Sequence, residues 1–357
     1  MDQVMVVGAA WVHDLNPFAV RFTPGFGIRW YGLAYVAGFV VAWWMLGRLA
    51  KRGLILLKPE AIADAVLFLV IGVMVGGRLG YCLVYRPELM TEFTGSFPFW
   101  GVLDLMSGGM ASHGGIVGVV VACWAIARAN RVPMRHVMDC VACVAPVGIF
   151  FGRVANFVNG ELLGRIAALP GADGPWWSVR YPQEILERFE ASGRTKDQTA
   201  RLELLLERFA RMEETTLAPA ADRVIRAIQQ GDRALREEIA PLLSSRHPSQ
   251  VYQAVAEGLV VLAVVWWVWR RPRKPGVVSA AFLVAYGVGR VATEFIRLPD
   301  AHFGSAGQIA GLSRGQWLSV GMVAAGVALW VVSARSASAL VGGWSGAKRQ
   351  HADRPVA

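Results

Sequence analysis

Residues 152–165 crowd Arg153, Asn156, Asn159, Glu161 and Arg165 among glycines and apolar side chains. Arg153, Asn156, Gly160 and Gly164 follow spacings of three and four, the interval that puts side chains on one helical face. The run starts where a long apolar segment stops. Charged groups at such an edge are costly to hold and mark substrate or ion sites. A guanidinium is a planar fork that suits phosphate oxygens and stays charged at any working pH. The chemistry in prospect is therefore the binding of an anion. Tyr286, Arg290, Glu294 and Arg297 make a second set, near one helical face. His113 opens another apolar segment and is followed by Gly114 and Gly115. Those glycines let a ligand approach the backbone, helix-start N–H groups favour anions, and histidine is the usual general base near neutral pH. The plain alternative for each is a helix end leaving a membrane, a snorkelling arginine or a satisfied core histidine.

The elements that must position these groups are apolar spans. Of 357 residues, 55% are hydrophobic and only 17% charged, against about 25% charged in soluble domains. The composition implies an all-α polytopic membrane protein with about seven transmembrane helices. They are expected near 30–47, 62–85, 111–127, 137–152, 251–269, 277–295 and 316–334. The formal charge of +10 is read as cytoplasmic loops facing anionic lipid, not as nucleic-acid binding. Cys82, Cys123, Cys140 and Cys143 all lie inside apolar segments and read as small buried hydrophobes. No Cys/His spacing suggests a metal. The first eighteen residues lack the basic start and apolar core of a signal peptide.

Alternate loops are basic: Arg48, Lys51, Arg52 and Lys58 after span one, Arg128, Arg131 and Arg135 after span three. Arg270, Arg271, Arg273 and Lys274 follow span five, and Arg335, Lys348, Arg349 and Arg354 follow span seven. By the positive-inside rule these face the cytoplasm, which puts the N-terminus outside (periplasmic) and the C-terminus inside. Residues 1–28 are then an outer segment, and 29–160 carry spans one to four, with an outer arm near 86–110. Residues 161–248 form an outer-face head, 249–335 carry spans five to seven, and 336–357 are a cytoplasmic tail. Within the head, 184–244 is rich in Glu and Arg with Leu202, Leu205, Leu206 and Phe209 at helical spacing, so two or three amphipathic helices are expected. This topology brings Tyr31, Arg78, His113, Arg153, Asn156 and the Tyr286–Arg297 set to one depth on the outer side. A cationic, partly desolvated pocket there suits an anionic phospholipid headgroup.

These residues resemble a family. The run Gly152-Arg-Val-Ala-Asn-Phe-Val-Asn-Gly-Glu-Leu-Leu-Gly164 is similar to the signature of bacterial prolipoprotein diacylglyceryl transferases. Further similarities, in consistent order, are Arg29-Trp-Tyr-Gly32, Gly77-Arg-Leu-Gly-Tyr81, His113-Gly-Gly-Ile-Val-Gly118, His247-Pro-Ser-Gln-Val-Tyr252 and Gly289-Arg290 through Arg297. The stretch 184–244 departs from the pattern, being longer and more charged than the family's usual head.

The resemblance implies a transferase of the bacterial inner membrane with its active site toward the outer leaflet. It implies transfer of the sn-1,2-diacylglyceryl group of phosphatidylglycerol to the lipobox cysteine of a preprolipoprotein signal peptide. A thioether forms and glycerol phosphate leaves, the first step of lipoprotein maturation. His113, Arg153 and Arg290 are the expected catalytic residues. Tyr31, Arg78, Gly114, Asn156, Glu161, Gly164, Tyr286, Glu294 and Arg297 are expected to bind or orient the lipid. No metal or other cofactor is expected. His113 either takes the thiol proton or positions the headgroup. Two competing readings are an anionic-lipid or anion transporter using the same arginines, with Asp64 and Asp139 as inner polar residues, and a scaffold docking partners through 184–244.

Overall fold

The computed structural model describes residues 10–23, 27–95, 97–104, 108–186, 193–211, 217–298, 308–309 and 312–344. In chain order its helices begin with α1 (Trp30–Lys51), α2 (Ile62–Val84), α3 (Ser112–Asn130) and α4 (Met134–Asn159). Then come α5 (Lys196–Arg211), α6 (Leu217–Gln229) and α7 (Arg233–Ile239). One further span joins α8 (Ser249–Gln253), a π-helical stretch (Ala254–Val260) and α9 (Val261–Trp269), followed by α10 (Val277–Glu294) and α11 (Arg314–Arg335). Seven of these segments among the described residues are long and apolar enough to cross a membrane, and each overlaps one expected from the sequence. Many of their large side chains, among them Val36, Trp43, Phe68, Val117 and Trp124, are exposed. In water that surface would be costly, whereas lipid is its natural solvent. The chain is a multi-pass membrane protein.

By internal packing the chain divides into two units. The first draws on Met1–Ala37, Gly148–Val261 and Ala285–Val323, the second on Gly38–Val147, Leu262–Val284 and Ala324–Ala357.

The second unit contains a glycine-mediated helix pair. Gly72, Gly76 and Gly80 recur every four residues along α2, and Gly114 and Gly118 face them from α3. A Cβ on Gly118 would strike the Gly72 carbonyl, and one on Gly114 the Gly76 carbonyl. Small residues at this interval let two backbones touch in lipid, where helix association depends on packing. Asp139 also has a structural task here. Its carboxylate accepts hydrogen bonds from the backbone N–H groups of Gly276 and Ser279 and from the Ser279 hydroxyl, each at 2.7 Å. It thus caps the start of α10 from another span.

The first unit is not purely helical. Strands β1 (Trp11–Val12), β2 (Ile166–Ala168), β3 (Val179–Arg180) and β4 (Ser245–Arg246) form a sheet in the order β1-β3-β4-β2. Strand β1 is parallel to β3, and the other pairs are antiparallel. These strands are two or three residues long, too short to show an alternating pattern, so an all-α expectation missed them. The helices expected within 184–244 are α5, α6 and α7. Leu202, Leu205 and Leu206 pack with Val224, Ile225, Ile228, Leu235 and Ile239 into one core. The ends of the stretch are not solvated: Glu184 and Ser244 are buried, and Glu184 pairs with Arg246 at 2.6 Å and Arg194 at 2.9 Å.

Candidate active site

Helix α4 carries Arg153 and Asn156 in its last two turns and continues to Asn159. Gly160, at φ 66°, then ends it. Glycine enters this left-handed region without the penalty a Cβ imposes. The face expected to run on through Gly164 is therefore cut. The Glu161 carboxylate folds back instead and accepts hydrogen bonds from the Asn156 and Asn159 amides at 3.2 and 3.4 Å. Beyond it Gly164 bridges backbone to Arg297 and lies so close to His247 that any Cβ would meet the His247 carbonyl. The Leu298 and Arg165 N–H groups donate to Leu163 and Ile296 carbonyls at 3.0 and 2.8 Å, so the signature run is stitched to the end of the sixth span.

The centre of the site is Glu257, a residue the sequence reading passed over. It lies in the π-helical stretch Ala254–Val260 and is 0% exposed. Its Oε2 accepts from Arg153 Nε at 3.1 Å and Nη2 at 2.8 Å. Its Oε1 accepts from Thr293 Oγ1 at 2.9 Å and lies 3.6 Å from Arg290 Nη1. One carboxylate is thus shared by two arginines from different spans. The backbones come close enough for this because Gly258 packs on Phe150 of α4 and Gly289 of α10 packs on Ala256. The available signal was a lone carboxylate inside the apolar segment 251–269, the kind of intramembrane ionisable residue that marks function.

Helix α10 supplies the other side. Arg290 lies 3.0 Å from Glu294, which lies 3.9 Å from Arg297 and accepts from Ser313 Oγ at 3.2 Å. Tyr286, one turn before Arg290, hydrogen-bonds Arg153. Three arginines and two acids make up this largely buried cluster. Arg290 Nη1 is buried without a hydrogen-bond partner among the described residues. An unused buried guanidinium donor costs free energy unless a ligand or water takes it. Tyr31 belongs to the same unit and stacks edge-on with Tyr35 at 5.2 Å.

His13, just after β1, packs edge-on against Phe157 of α4. It is fully buried, and its Nε2–H donates to the Phe157 carbonyl at 2.7 Å, next to Asn156. Burial lowers its pKa, because the charged ring would lose its hydration.

Arg78, His113 and Gly114 belong to the second unit. His113 is exposed at the start of α3. Arg78, one of the residues expected to bind lipid, directs its guanidinium to the 86–110 arm. It donates to the carbonyls of Val102 (2.8 Å), Gly101 (2.7 Å), Gly108 (2.5 Å) and Gly109 (3.0 Å). Gly114, expected to let a ligand approach, has its Cα packed against Gly76 and Gly80 of α2.

Arg153 and Arg290 thus gather positive charge around the Glu257 carboxylate, an arrangement whose chemistry suits an anion. Preorganised positive groups of this kind stabilise negative charge that develops on a departing phosphate.

A sequence model described as prolipoprotein diacylglyceryl transferase matches residues 17–332. A phosphatidylglycerol–prolipoprotein diacylglyceryl transferase of Bdellovibrio bacteriovorus is 44% identical over 348 residues, covering 93% of this chain and 97% of its own. One of the same description from Ralstonia pickettii is 37% identical, covering 91% and 95%. Another from Chromohalobacter salexigens is 34% identical, covering 90% and 94%.

Proposed function

The chain belongs to the prolipoprotein diacylglyceryl transferase family, and from that membership we infer that it moves the diacylglyceryl group of phosphatidylglycerol onto a prolipoprotein cysteine. It is a membrane transferase of lipoprotein biosynthesis. The cysteine sulfur, as thiolate, supplies the electron pair of the new C–S bond. The glycerol C–O bond to phosphate breaks, and its pair stays on the phosphate oxygen. A thiolate and a phosphodiester, each with one negative charge, become a neutral thioether and glycerol phosphate with two.

Arg153 and Arg290 bind the phosphate and stabilise this added charge. Asn156 and Glu161 border the phosphate site, and Tyr286 steadies Arg153. Glu294 orients Arg290 and Arg297, Gly164 permits the close backbone contact, and Tyr31 contacts the lipid. His113 takes the thiol proton or positions the headgroup. The observation that carries the site assignment is the buried Arg153–Glu257–Arg290 cluster with an unfilled donor on Arg290.

In this reading the N-terminus and the head, 161–248, lie on the periplasmic side of the inner membrane. The active site opens toward the outer leaflet, the arm near 86–110 lies along the interface, and 336–357 is cytoplasmic. The support is the run of basic loops at alternate span ends. The test is direct. Purified protein is mixed with phosphatidylglycerol labelled in its acyl chains and a lipobox peptide. Label is expected on the peptide, and none when its cysteine is serine. No label on the intact cysteine peptide would overturn the assignment.

A further inference from the structure

Resting on the phosphate grip just described, we propose that Glu257 is a positioning residue for the transfer: it fixes the spacing of Arg153 and Arg290 and sets the charge of the pocket they form. Two oxygens face two ways. Oε2 takes both bonds from Arg153, and Oε1 is shared between Thr293 and Arg290. Two guanidiniums alone would repel one another across a desolvated gap. The carboxylate between them lets both stand close enough to engage one phosphate.

Side-chain length matters. A glutamate on the π-helical stretch reaches both arginines, and Thr293 fixes its rotamer. π-Helical turns are rare and cluster at functional sites. Here the widened turn and the bare Cα atoms of Gly258 and Gly289 bring three spans together around one acid.

Charge matters equally. The cluster has Arg153, Arg290 and Arg297 against Glu257 and Glu294, one positive charge in excess. Glu161 is exposed, where water screens it. A surplus of one matches the single charge of a phosphodiester. The product is a phosphomonoester, which carries a second charge above about pH 6. Without Glu257 the pocket would hold that product more tightly and release it more slowly.

The experiment compares the unmodified enzyme with Glu257→Gln and Glu257→Asp in detergent. It measures kcat for transfer to a lipobox peptide and inhibition by glycerol phosphate. Glu257→Gln should lower kcat about tenfold or more, while glycerol phosphate inhibits it about tenfold more tightly. Glu257→Asp keeps the charge but not the reach, so kcat should fall while inhibition stays within about twofold of the unmodified enzyme. A carboxylate that only fills space would leave the inhibition unchanged in both. Equal inhibition of Glu257→Gln and the unmodified enzyme therefore overturns the proposal. Should Glu257→Gln fail to accumulate, unmodified turnover in Glu257→Asp overturns it instead. Absence of transfer by the unmodified enzyme would be a different failure, that of the transferase reading itself.

Discussion

Arg153 and Glu257 are joined by two hydrogen bonds to a single carboxylate oxygen, at 3.1 and 2.8 Å, from the Nε and Nη2 edge of the guanidinium. That edge is spent on the protein. Tyr286 hydrogen-bonds the same guanidinium. The pairing orients the fork as well as neutralising it, and an orientation of this kind is lost when lysine replaces arginine.

The first prediction concerns this fork. Arg153→Ala and Arg290→Ala should each lower kcat/KM for transfer by about a hundredfold or more. Arg153→Lys should recover little, since an ammonium cannot make the two-bond contact to Glu257. Labelled-lipid transfer in purified membranes measures this, and normal transfer by both alanine variants would remove the arginines from the site.

The second concerns His113. Replacing it by glutamine keeps a polar side chain but removes a group that can accept and carry a proton. Turnover should fall about a hundredfold at neutral pH, and the loss should shrink as pH rises and the thiol ionises unaided. A constant deficit across the pH range would assign His113 to headgroup positioning.

Arg78 carries the third. Its bonds to four backbone carbonyls tie the arm to α2. Lysine has three donors and cannot reproduce that fan, so Arg78→Lys should cost about 2 kcal/mol or more. Limited proteolysis should then cut within 86–110 faster than in the unmodified protein. Equal cleavage rates would show that the arm is held by other contacts.

The fourth is a pH dependence. His13 has a pKa below its ordinary 6.5 in the folded protein because it is buried. Above that value both folded and unfolded chains hold it neutral, so it contributes no dependence. As pH falls through 6.5, the unfolded chain gains a proton that the folded one refuses, and stability is lost. Thermal unfolding in detergent should fall between pH 7.5 and pH 5.5, and His13→Gln should flatten part of that slope. An unchanged slope would place the acid sensitivity elsewhere.

The fifth tests the glycine seam. Gly118→Val puts a branched side chain against the Gly72 carbonyl. Overpacking of this kind costs about 1–3 kcal/mol. The expected readout is reduced accumulation in membranes and a lower thermal midpoint, with residual enzyme showing near-normal KM.

Hydropathy alone placed all seven spans, because a helix in lipid must be continuously apolar over its own length, a property local to the chain. Arg153, Asn156, Arg290 and Glu294 stand out in the sequence for a related reason: a polar group is conspicuous where apolar residues are the rule. The helical count within 184–244 was legible from spacing. What a polar residue does, however, depends on what packs against it. Arg78 and Arg153 look alike as arginines near span ends, yet arm carbonyls consume one and a shared carboxylate steers the other. Gly114 was legible as a glycine needed for close approach, but the partner is α2. Glu257 stands 104 residues from Arg153, and no periodicity within one helix reports on its partner in another. The sequence by itself determined the spans, their basic loops and the roster of unusual polar residues. Only the tertiary structure decided which were paired with each other, which were spent on backbone, and that one buried glutamate holds the two arginines together.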